Sequence, residues 1–110
     1  MDTSSSSIPS ISPQELALRI GTPDAPLVLD VRRQPRFDES PRMLATALRC
    51  APEDVAALAA AGPPRSVVVY CVHGHEVSQG AAATLRGAGW DAYFLEGGIE
   101  SARDTPLGAA

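Results

Sequence analysis

The stretch YCVHGHEV, residues 70–77, brings a thiol, two imidazoles and a carboxylate together in one short segment. A run of valines leads into Cys71, and an alanine-rich segment follows Val77. A cysteine at such a junction of strand and helix is a candidate nucleophile. Gly74 frees the chain for a sharp turn, and successive backbone N–H groups can then converge on one point. The start of the following helix adds partial positive charge there. Both effects favour a thiolate, and preorganised donors also hold a negatively charged intermediate. The same residue types allow other chemistry. Cys71, His73 and His75 are good zinc ligands by type, but a structural zinc site takes four protein ligands. The remaining cysteine and the acids fall on other elements, so no metal is expected. A free cysteine is also often a small buried hydrophobe. The residues by themselves leave nucleophile and core residue both open for Cys71.

The elements that must position this stretch alternate in type. ISPQELALRIG reads as a helix with Ser12 as N-cap, Pro13 at the first position and Glu15 completing a capping box. Leu16 and Ile20 share one face, Gly21 can end the helix, and Pro23 prevents its return. PLVLDV predicts a strand over 27–31, apolar on both faces as in a covered parallel sheet. Pro35 and Pro41 limit the next segment to a loop or one short turn. LATALR is a weak strand candidate, since alanine disfavours strands. PEDVAALAAAG predicts a helix opened by Pro52, with Val55, Leu58 and Ala59 inward and Gly62 at its end. SVVVYC is the strongest strand signal. A helix is predicted over 77–88, then a strand in DAYFLE and a short helix from GGIESAR. Such alternation implies a parallel α/β sheet with right-handed crossovers, and ligands of such sheets bind at the carboxyl ends of the strands. Cys71 falls at that end of the most apolar strand.

Composition narrows the partners. The chain has 110 residues, 45% of them hydrophobic, and a formal net charge of −4. That length suits one domain with its own core, expected over 8–110 after a disordered serine-rich tail over 1–7. All nine basic residues are scattered arginines, which gives no nucleic-acid footprint. No apolar run approaches the roughly 20 residues of a membrane helix. MDTSSSSIPS lacks the basic and apolar regions of a signal peptide. The expectation is a cytoplasmic protein with Cys50 and Cys71 reduced.

Four stretches in order make the chain resemble the single-domain rhodanese family: ISPQELA, LVLDVR with Asp30 and Arg32, VVVYCVHGHE with Cys71 and Gly74, and YFLEGGIE. The resemblance implies a five-stranded parallel sheet flanked by helices on both faces. It also implies sulfurtransferase chemistry without metal or organic cofactor. Cys71 would take sulfane sulfur from a donor such as thiosulfate, hold it as a persulfide, and pass it to a thiol, cyanide or a protein acceptor. The backbone amides of Val72, His73, Gly74, His75, Glu76 and Val77 would cradle that sulfur. Asp30 and Arg32 would brace the fold near the site as a strand-end ion pair.

The chain departs from the family at three places. Many members carry an arginine five places after the cysteine, where Glu76 stands here. A carboxylate there repels an anionic donor and disfavours the thiolate, unless it points into screening solvent; a protonated His73 or His75 would offset it in part. The family's His-x-Pro-Gly-Ala segment is reduced to RMLATALR, and the tryptophan after the double glycine is replaced near Ala102. A phosphatase or arsenate-reductase loop needs an arginine six places after its cysteine to clamp a tetrahedral oxyanion, and Val77 is there instead. The remaining rival is a regulatory module that binds a partner or senses oxidants through Cys71. In that case Arg32, Arg33, Arg36 and Arg42 are candidates for an anion- or partner-facing rim, with Cys50 as a resolving thiol.

Overall fold

A computed structural model describes residues 8–40, 42–44, 46–73 and 75–102. The serine-rich tail over 1–7, Pro41, Ala45, Gly74 and the last eight positions lie outside the described residues. The elements run β1 (Ser10–Ile11), α1 (Pro13–Arg19), β2 (Leu27–Asp30), α2 (Gln34–Glu39), β3 (Leu48–Arg49), a 3₁₀ turn (Pro52–Asp54), α3 (Val55–Ala61), β4 (Ser66–Tyr70), α4 (Glu76–Gly87), β5 (Asp91–Leu95) and α5 (Gly98–Ala102). The strands form one sheet in the order β1-β5-β4-β2-β3, and every neighbouring pair is parallel. This is the expected five-stranded α/β architecture.

Alternation along the buried strands splits the core into two layers. Leu29, Val31, Val67, Val69 and Ala92 face α3 and α4, meeting Val55, Ala59, Ala81, Ala82 and Leu85. Val28, Val68, Tyr70 and Leu95 face the other way, toward Leu16 of α1 and Ala102 of α5. Both faces are covered, so β2 and β4 carry apolar residues at successive positions.

Local chemistry sets the boundaries. Ser12 Oγ accepts from Glu15 N–H at 3.1 Å, and Glu15 Oε1 accepts from Ser12 N–H at 3.0 Å. The expected capping box is therefore formed, with Pro13 in the first turn. The segment after β2 differs from expectation. Pro35 opens a helix rather than breaking one, because it occupies the first turn of α2, where no N–H is needed. LATALR contributes only the two residues of β3. PEDVAALAAAG divides into the 3₁₀ turn and α3. The fifth strand is β1, two residues pairing Ser10 with Phe94 and Ile11 with Leu95; nothing in the sequence pattern marks it.

Candidate functional site

β4 is flanked by β5 and β2 and delivers Cys71 at its carboxyl end. Val31 N–H donates to Tyr70 O at 2.9 Å, so the strand is held in the sheet up to the residue before the thiol. Cys71 is 6% exposed. Its Sγ donates to Ser78 Oγ at 3.2 Å. Ser78 is fully buried in the first turn of α4, and its hydroxyl donates in turn to His75 O at 3.3 Å.

The loop between Cys71 and α4 is shaped from outside. Ile99 N–H donates to Cys71 O at 2.9 Å and Glu100 N–H donates to Val72 O at 3.1 Å. Both peptides are trans, so the N–H groups of Val72 and His73 point away from α5. These contacts need close approach of α5 to the loop. Gly98 makes it possible: its φ is +63°, and a Cβ there would overlap the carbonyl oxygens of both Cys71 and Val72. At the other end of the loop, Gln79 N–H reaches His75 O at 3.1 Å as the first bond of α4. The preceding amides of Glu76, Val77 and Ser78 have no acceptor within the helix, and the His75 side chain does not cap them. Uncapped amides at a helix start are the kind of donors that favour an anion.

The remaining loop residues separate by role. His73, His75 and Glu76 are exposed, with the two imidazole centroids 6.2 Å apart. Glu76 is the first residue of α4, where a carboxylate complements the helix dipole. Val77 is half-buried against the α3–α4 layer and so belongs to the core through its side chain. Gly74 lies outside the described residues. Among the described residues, no three His, Cys, Asp or Glu side chains group as metal ligands.

Asp30 and Arg32 form the expected brace, buried at 0% and 2% exposure. Arg32 Nη2 lies 2.6 Å from Asp30 Oδ2 and 3.0 Å from Arg42 O, while Nη1 donates to Ser40 O at 2.8 Å. Tyr70 completes the cluster. Its hydroxyl donates to Asp30 Oδ2 at 3.0 Å and accepts from Leu44 N–H at 3.1 Å. Burial pushes the tyrosine hydroxyl far up, and the neighbouring Asp30 charge adds to this, so it stays protonated as a donor. The brace therefore ties Ser40, Arg42 and Leu44 to the ends of β2 and β4. Arg49 joins its edge, donating to Asp30 O at 3.0 Å and stacking 4.5 Å over Phe37.

Two other candidates stand apart. Arg36 is exposed and pairs with Glu39 on its own helix at 3.3 Å. Cys50 follows β3 as Cys71 follows β4, and β2 lies between. Two strand spacings separate backbones by about 9–10 Å, beyond the reach of a disulfide without backbone movement. Burial, with Asp54 next, also pushes the Cys50 thiol up. The arrangement does not place Cys50 as a resolving thiol.

Sequence reasoning missed Ser78, Tyr70 and the α5 amides. Ser78 and Tyr70 read as helix and strand filler, and backbone donors leave no trace in residue type.

The fold recurs in solved structures. A rhodanese-related protein from Thermoplasma volcanium is 24% identical with a TM-score of 0.74, covering 93% of this chain and 97% of its own. A rhodanese homolog from Thermus thermophilus is 29% identical with a TM-score of 0.66, covering 84% and 99%. An As-Sb reductase from Leishmania major is 21% identical with a TM-score of 0.66, covering 87% and 77%. A comparison with curated proteins gives no match. The Rhodanese-like domain family matches residues 12–104, and with the parallel sheet and the strand-end cysteine loop in place, the chain belongs to that family.

Proposed function

We propose that this protein is a sulfurtransferase that carries sulfane sulfur on Cys71. The observation that supports this best is the setting of the thiol. It sits at the carboxyl end of β4, hydrogen-bonded to Ser78, at the head of a loop whose first two carbonyls are bound by α5. In the first half-reaction the Cys71 thiolate attacks the outer sulfur of thiosulfate or of a low-molecular-weight persulfide. The donor's S–S bond breaks, and sulfite or a thiolate leaves with the electron pair. In the second, a thiol, cyanide or protein acceptor attacks the outer sulfur of the Cys71 persulfide and releases the Cys71 thiolate. Neither half needs a metal or organic cofactor. The loop amides would hold the negative persulfide. A reducing compartment, the cytoplasm, suits this chemistry.

The test is intact mass after incubation with thiosulfate and, separately, with a glutathione persulfide. A gain of one sulfur atom is expected, absent in Cys71→Ser and reversed by cyanide. No gain with either donor would reject the proposal. That result would favour the second reading, a regulatory module, for which the exposed Glu76 in place of a loop arginine is the supporting observation.

Glu76 also makes the donor testable. An exposed carboxylate at the start of α4 repels a dianion approaching the loop, and salt screens it. Glu76→Arg is expected to raise the thiosulfate rate by roughly tenfold at low ionic strength, and by less at high salt. Steady-state rates across a salt series check this. An unchanged rate at low salt would show that the carboxylate does not govern donor choice.

A further inference from the structure

The hydroxyl of Ser78 has two partners of different character. It accepts from Cys71 Sγ at 3.2 Å and donates to His75 O at 3.3 Å. The His75 carbonyl has another donor, Gln79 N–H at 3.1 Å, so it does not depend on Ser78. Cys71 is 6% exposed and Ser78 fully buried. Water therefore has little access to the sulfur on that side. A thiolate formed there needs a donor from the protein, since a buried anion without one is costly. A serine hydroxyl can supply it by turning about its C–O bond, because it both donates and accepts.

We propose that Ser78 is a positioning residue for Cys71. In the resting thiol its oxygen receives the S–H. When the proton leaves to solvent, the hydroxyl rotates away from His75 O and donates to the sulfur. His75 O keeps its bond from Gln79, so the rotation leaves no buried acceptor empty. The same hydrogen bond fixes the direction of the sulfur from the first turn of α4. The inference deepens the sulfur-carrier reading but concerns the thiol itself, and its measurement does not require sulfur transfer.

The test uses the full chain with Cys50→Ser, which leaves one thiol. The rate of alkylation by iodoacetamide near neutral pH reports the thiolate. Ser78→Ala is expected to slow it about tenfold, the scale of one hydrogen bond to an ion. Ser78→Thr, which keeps the hydroxyl, is expected to recover most of the rate. A Ser78→Ala rate equal to the parent's, or a Ser78→Thr rate as slow as that of Ser78→Ala, would overturn the proposal. Infrared spectroscopy gives a readout on the parent itself. Its S–H stretch is expected below that of an unbonded thiol, and a band at the unbonded position would overturn the proposal without any Ser78 variant. Slow alkylation in Ser78→Ala together with no sulfur uptake by the parent would uphold the role of Ser78 while removing the transferase reading.

Discussion

Replacing Arg32 with alanine is expected to lower the unfolding free energy by about 3–5 kcal/mol, the cost of leaving one partner of a buried ion pair uncompensated. The expectation rests on burial rather than on the ion pair as such. An exposed pair such as Arg36–Glu39 contributes at most about 1 kcal/mol. Asp30 and Arg32 are both out of water, and the guanidinium also reaches the carbonyls of Ser40 and Arg42. Without it, two carbonyls lose a donor and the Asp30 carboxylate loses its counter-charge. Tyr70 still donates to Asp30, so part of the cluster survives. Arg32→Lys should recover less than half of the loss, because a compact ammonium cannot span the carboxylate and both carbonyls as a planar fork does. Urea unfolding followed by circular dichroism measures this, and a loss below about 1 kcal/mol in Arg32→Ala would mean that the pair is solvated in solution.

Gly98→Ala is expected to be nearly as damaging and to act on the site directly. A Cβ at φ +63° is strained by about 1–2 kcal/mol. Here it also meets two backbone oxygens, of Cys71 and Val72, that no rotamer change can move. Relief requires α5 to withdraw, and withdrawal breaks the bonds from Ile99 and Glu100 to those same oxygens. The loop then loses its fixed peptide planes. The expected outcome is a stability loss of about 2–4 kcal/mol, with the proposed sulfur uptake by Cys71 reduced at least about tenfold. Gly80→Ala is the matched comparison. It lies in α4, where an added Cβ meets nothing within 4 Å, and alanine suits a helix better than glycine. Chemical denaturation and intact mass on the two variants separate the explanations. Equal sulfur uptake in Gly98→Ala and the parent would show that α5 does not shape the loop.

These two variants also show what the sequence could and could not reveal. Features carried by residue type at short range are legible. Ser12, Pro13 and Glu15 predict α1 because a capping box is local chemistry, and the valines of β4 predict a buried strand because both of its faces are apolar. The position of Cys71 follows from the alternation of strands and helices. Features carried by long-range backbone pairing are not legible. β1 is two residues long and exists because Ser10 and Ile11 pair with β5, more than eighty positions away. Pro35 reads as a breaker because its effect depends on whether a helix starts beside it. Ser78 reaches Cys71 across a turn whose course a sequence does not fix. The double glycine at 97 and 98 is visible as part of a family stretch, but its reason, two oxygens packed under one α-carbon, emerges only in the folded chain.

The contact of α5 with the loop has a temporal consequence. The ribosome makes Cys71 well before Ile99 and Glu100, the residues whose amides shape its loop. During synthesis the cysteine is therefore present on an unfinished sheet. It gains its surroundings only once the segment after β5 has emerged and docked. The order of the chain thus leaves the loop without its outer support until nearly all of the fold that encloses it is in place.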